Sequence, residues 1–141
     1  SAFTMDPVFA DDSGLEVDAL DNAPGVYSAR YASSPEAGID ADLANNRLLI
    51  NNLHGVENRT ARFVCVIALA REGCVLETFR GEVQGVIIDE ARGSGGFGYD
   101  PHFFYPPFGV TFGETSREAK MDVSHRGKAL RAMLQYLQGT R

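Results

Sequence analysis

Thr60-Ala61-Arg62-Phe63-Val64-Cys65-Val66-Ile67-Ala68-Leu69-Ala70 is an almost unbroken apolar, β-branched run. Continuous apolarity over this length, in place of strict alternation, is the pattern of a strand covered on both faces. This segment is therefore the expected centre of the core. Glu72-Gly73 supplies a turn, and Val75 to Ile88 returns as a second long strand, with Thr78, Arg80, Glu82 and Gln84 on one face and Phe79 and Val83 on the other. Gly81 and Gly85 inside it predict a bulge or bend.

Toward the N-terminus, Pro7 to Ala10 reads as a short apolar strand running into Asp11-Asp12-Ser13-Gly14. Two carboxylates at the end of a buried strand suit a hard cation or an activated water; an Asx-type turn between two strands accounts for the same residues. Leu15 to Leu20 alternates with period two, as a half-buried strand does. Asp21 to Gly25 is dense turn signal, and Val26 to Tyr31 mixes aromatics with Arg30, read as structural. Asp40 is placed to cap a helix reaching about Leu53, whose apolar stripe of Leu43, Leu49, Ile50 and Leu53 is imperfect. His54-Gly55 ends it.

Toward the C-terminus, the hairpin delivers the chain to Gly93-Ser94-Gly95-Gly96-Phe97-Gly98-Tyr99-Asp100-Pro101. Glycines let backbone amides approach a ligand, Phe97 and Tyr99 offer flat faces, and Asp100 is an acceptor, parts suited to gripping a nucleobase. A long solvated hairpin loop is the other reading. His102 to Tyr105 is a short aromatic strand stopped by Pro106-Pro107. Thr115-Ser116-Arg117-Glu118 has the form of a capping box opening a short helix toward Lys120. Ser124 is placed to cap the last helix, in which Ala129, Leu130, Met133, Leu134 and Leu137 keep helical spacing to Gly139. His125 and Arg126 then sit at a helix N-terminus, where an anion or a purine carbonyl is favoured. Cations there oppose the dipole and call for a reason other than structure; a solvent-exposed first turn is the alternative.

The 141 residues fit a single α/β domain, 1–141, with residues 1–4 before Met5 read as a possible expression scar. With 13 basic and 19 acidic residues, a net charge of −6 and no Lys/Arg block, binding to nucleic-acid backbone is disfavoured. No apolar window approaches a membrane span. Cys65 and Cys74 have no metal or redox spacing and read as reduced thiols of a cytoplasmic protein.

Taken together, Ala10-Asp11-Asp12-Ser13-Gly14-Leu15, Ala23 to Tyr31, Gly95 to Pro101, and Lys120 followed by Ser124-His125-Arg126 resemble one family, the inosine triphosphate pyrophosphatases. The resemblance spans about Pro7 to Leu137. It implies an α/β fold with a long, twisted, mixed β-sheet and flanking helices, here an N-terminally truncated version, and a homodimer covering the apolar face that truncation bares. The implied activity is Mg²⁺-dependent hydrolysis of inosine- and xanthosine-type NTPs and dNTPs to monophosphate and pyrophosphate. By similarity, Asp12 is the catalytic, metal-linked carboxylate, with Asp11 beside it as a second metal ligand. Ser13, Gly96, Phe97, Gly98, Tyr99, Asp100, Lys120, Ser124, His125 and Arg126 would bind substrate. Within that set Phe97 would stack on the base, Asp100, His125 and Arg126 would read its edge, and Lys120 would meet phosphate. The family's Ser/Thr-x-Asn-x-x-Lys motif and its metal-binding Glu are absent from this sequence, whose only lysines are Lys120 and Lys128. The alternative is a weak or inactive nucleotide-binding or dimerisation remnant.

Overall fold

The computed structural model describes residues 2, 4–32 and 40–139; Ser1 and Phe3, within the stretch read as a scar, lie outside them. The apolar run forms β2 (Thr60–Arg71), flanked by β1 (Val8–Val17) and β3 (Cys74–Ile87), with β4 (Phe103–Tyr105) and β5 (Val110–Thr111) completing a five-stranded sheet in the order β1-β2-β3-β4-β5. All four pairings are antiparallel, where a mixed sheet was expected. Each strand here pairs with the next in sequence, and a parallel pair would need a long crossover between them. Among the described residues three α-helices, α1 (Ala41–Asn52), α2 (Arg117–Val123) and α3 (His125–Gly139), flank the sheet. Cys65 and Cys74 are both free. No helix among the described residues is long and apolar enough to cross a membrane.

One face of the sheet carries the core. Leu15, Val17, Ala61, Phe63, Val83 and Ile87 join Leu49 of α1 and its C-cap Leu53 with Tyr99, Phe103 and Phe112 in one cluster. Cys65, Ile67, Leu69 and Phe79 meet Ala129 and Met133 of α3 in a second. The opposite face is more open: Val64 is buried, but Val66 and Ala68 are only half-buried. The expectation that β2 is covered on both faces therefore holds for one face only. Continuous apolarity reports hydrophobic side chains and does not say which face is met by a neighbour.

Three local expectations are corrected. Asp11 to Gly14 do not turn; they run through the middle of β1, opposite Ile67, Val66, Cys65 and Val64 of β2. A ladder along ten residues outweighs a local turn propensity. The glycines of β3 do not mark a bulge, since the register shift lies at Leu69/Ala70. A Cβ on Gly81 would run into the carbonyl oxygen of His125, so this glycine lets the start of α3 lie directly on the sheet. Finally, Ser116 and not Thr115 caps α2, accepting from Ala119 N at 3.1 Å. The capping box lies upstream at Thr111 and Glu114, and the Thr115 hydroxyl donates to Thr111 O.

Candidate functional site

The glycine-rich loop packs beside the N-terminus of α3, over the aromatic core cluster. Tyr99 is buried and its hydroxyl donates to Ser28 O at 2.6 Å. Asp100 is 2% exposed, and its Oδ2 accepts from Phe97 N at 3.1 Å and from Lys120 Nζ at 2.5 Å. Phe97 by contrast remains 61% exposed, with Lys120 Nζ 4.7 Å and Arg126 Cζ 5.6 Å from its ring centroid. It is presented to solvent and is not part of the core packing.

Ser124 caps α3 as expected, its Oγ accepting from Gly127 N at 3.0 Å. His125 follows, buried and stacked on Phe63 with centroids 4.9 Å apart. Burial, reinforced by the positive charges of Lys120 and Arg126, lowers its pKa to about 4. At neutral pH the imidazole is therefore uncharged, and its buried Nδ1 has no hydrogen-bond partner. Burial likewise raises the pKa of Asp100, while Lys120 opposes that shift. The close contact with Lys120 favours the ion pair. Arg126 Nη2 lies 3.4 Å from Ser13 Oγ, and its Nε lies 2.9 Å from Asp11 Oδ2, an ion pair without the alignment of a hydrogen bond.

These residues line two cavities that share Phe97, Lys120 and His125. The first, about 160 Å³, is bounded by Ser13, Gly98, Tyr99 and Asp100, and also by Ser28, Asp42, Asn45 and Phe63. The second, about 510 Å³, is bounded by Gly96, Ser124 and Arg126, and also by Thr115, Arg117 and Met121. All ten residues expected to bind substrate thus fall around one connected region. Lys120, expected at phosphate, is held by Asp100. The residues not foreseen carry little signal: Phe63 reads as core, and Asp42 and Asn45 read as the solvent face of a helix.

The two adjacent acids are separated. Consecutive strand residues point to opposite faces, so Asp11 faces Arg126 while Asp12 lies on the open face. There it lines a further cavity of about 170 Å³ with Gly14, Glu16, Val64, Val66 and Arg80. The Asp12 side chain is exposed and, unlike its backbone in the β1–β2 ladder, has no hydrogen bond or ion pair among the described residues. The two carboxylates do not form a joint metal site, and no group of three His, Cys, Asp or Glu able to hold a metal occurs among the described residues. Ser13 and Gly14 border both this cavity and the 160 Å³ one.

The fold agrees with three kinds of similarity. The structure matches a Staphylococcus aureus Ham1 protein with a TM-score of 0.88 at 42% identity, covering 97% of this chain and 69% of that one. A Coxiella burnetii HAM1 protein matches with a TM-score of 0.84 at 38% identity, covering 94% of this chain and 68% of that one. A curated relative from Desulforamulus reducens, named dITP/XTP pyrophosphatase, is 51% identical over 96% of this chain and 66% of its own length. A Geobacter sulfurreducens protein of the same name is 53% identical over 93% of this chain and 65% of its own length. The chain spans just under two thirds of the length of these curated relatives. The model of the Ham1 family matches residues 1–136, and the chain belongs to that family.

Proposed function

We propose that this chain carries the base-recognition part of a nucleoside triphosphate pyrophosphatase acting on deaminated purine nucleotides of the inosine and xanthosine type, ribo or deoxy. The observation that supports it most is His125, neutral and buried, with an unpartnered Nδ1 beside the exposed ring of Phe97. A flat ring to stack on, a neutral imidazole to exchange a hydrogen bond and a nearby guanidinium to donate to a keto oxygen together suit a 6-keto purine. An amino group in the keto position would meet Arg126 badly. The relatives named dITP/XTP pyrophosphatase support the same substrate class.

The reaction would be attack of water between the α and β phosphates, releasing monophosphate and pyrophosphate. Asp12 is the acid available to it, because Asp11 is committed to Arg126. Magnesium is held by one or two carboxylates together with substrate phosphates and water. A single unpaired carboxylate fits such an ion and does not fit a dedicated protein cage. When bound, the ion would offset charge on the leaving pyrophosphate. Asp12 would hold it and orient the attacking water, while the loop and α3 hold the base.

We also propose a homodimer in which a second copy lies against the Ala68 end of the open sheet face and leaves the Asp12 cavity, which Val66 borders, uncovered; the partial exposure of Ala68 on an apolar strand supports it. A purely monomeric sedimentation profile at tens of micromolar would count against it.

The principal test pairs pyrophosphate release from inosine triphosphate with Mg²⁺ and binding of inosine monophosphate. Asp12→Asn is expected to lower release by about 100-fold or more while leaving monophosphate binding intact. Binding without any release points to a nucleotide-binding remnant. Arg126→Ala should weaken inosine nucleotides far more than adenine nucleotides; equal losses would restrict Arg126 to packing or phosphate.

A further inference from the structure

Helix α1 buries two consecutive asparagines, Asn45 at 5% and Asn46 at 8% exposure. Asparagine is a poor helix former, and a buried amide is costly unless hydrogen-bonded. Both amides reach outside their own helix. Asn45 Oδ1 accepts from Ala32 N at 2.8 Å and its Nδ2 donates to Ala29 O at 3.1 Å. Asn46 Nδ2 donates to Gly98 O at 3.0 Å. One turn earlier, Asp42 Oδ2 accepts from Gly98 N at 2.8 Å. The amide and the carbonyl of a single loop residue are therefore both held by α1, 56 and 52 positions away in sequence.

Gly98 adjoins Phe97, whose ring is mostly exposed and has no core packing to place it. Gly98 itself has φ +61°, with open space where a side chain would stand. The ring's position is thus set by its backbone together with the Lys120 and Arg126 cations over its face. That backbone is pinned on one side by the Phe97 N to Asp100 contact and on the other by α1.

We infer that Asn46 and Asp42 are positioning residues for base binding, acting through the two backbone groups of Gly98 to hold Phe97 and Asp100 at the spacing a purine needs. The inference rests on the base-recognition reading above. It adds a distant helix as a determinant of affinity. Asn46 acts first because its bond is partly buried; the Asp42 bond is exposed and weaker.

The test is the dissociation constant of inosine monophosphate, measured by calorimetry at 20 °C alongside thermal unfolding. Asn46→Ala is expected to weaken binding about tenfold and Asp42→Ala about threefold. Asp42→Asn keeps an oxygen acceptor for Gly98 N and is expected to bind like the unmodified chain. A role in folding alone would lower the unfolding temperature of the alanine variants while leaving their affinity unchanged, and that result overturns the inference. Equal weakening in Asp42→Asn and Asp42→Ala overturns the part played by the Asp42 acceptor. Should the unmodified chain itself not bind inosine monophosphate, the base-recognition reading falls and this inference with it; binding that ignores all three substitutions sinks this inference alone.

Discussion

Helices α1 and α3 both reach the same cavity, and they are built on opposite plans. α3 rests on the sheet through Ala129 and Met133, with Gly81 below to admit it, and hands His125 to the pocket from an apolar seat. α1 keeps Leu49 and its C-cap Leu53 for the core but buries Asn45 and Asn46, of which Asn45 lines the pocket, and the two amides tie down two separate segments. Apolar contact is non-directional and fixes a helix as a body. Hydrogen bonds are directional and fix individual backbone groups. Stability and ligand geometry should therefore respond to different helices.

The sharpest way to break that contrast is Met133→Ala. At a site 3% exposed and packed among Cys65, Ile67, Leu69 and Phe79, it should cost about 2–5 kcal/mol of stability. Inosine monophosphate affinity, measured where the variant is still folded, should stay within about twofold. A loss of affinity as large as the loss of stability would show that α3 also sets the fine geometry. The next effect is a pH dependence belonging to α3. The folded pKa of His125, about 4, lies below its unfolded value of about 6.5, so the unfolded chain takes the proton first. The stabilisation associated with the neutral ring is present above about pH 6.5 and is lost as the pH falls toward 4, by about 3 kcal/mol at most. Denaturation series at pH 7 and pH 4.5 should show a shallower decline in His125→Gln than in the unmodified chain.

On the α1 side the effects on stability are smaller and should extend to binding. Asn45→Ala strands the partly buried amide of Ala32 and carbonyl of Ala29, for about 1–2 kcal/mol, and should weaken nucleotide binding because Asn45 lines the pocket. Tyr99→Phe removes only the bond to Ser28 O, for about 1 kcal/mol. An unfolding midpoint unchanged by that substitution would remove Tyr99 from the set of anchors.

The strands of the hairpin, the aromatic strand after it, the Asp40 cap and the Ser124 cap were legible because each rests on local chemistry. The course of β1 was not. Asp-Asp-Ser-Gly is turn-like by itself, and only the partner strand makes it extended. Gly14 is small for a non-local reason, since a Cβ there would lie 2.6 Å from Gly25 O. The imperfect stripe of α1 has a related cause. Leu43 is 47% exposed while Asn45 and Asn46 are buried, and no periodicity can tell a buried amide with distant partners from one facing water. The glycine-rich loop, Lys120 and the start of α3 could be assembled into one site from sequence order and family resemblance. The Lys120–Asp100 pair and the Phe63 ring beneath His125 depend on packing between elements far apart in the chain.

The opposed facing of Asp11 and Asp12 makes β1 a shared setting for both sides of the sheet. A slip of one residue along β2 would bring Asp12 to Arg126 and turn Ser13 away from the pocket, exchanging the chemistry on the two faces at once. Leu15 and Val17, fully buried, hold the correct alignment. A lesion at either of these apolar positions would therefore disturb the proposed base pocket and the Asp12 side together, although neither residue carries a functional group.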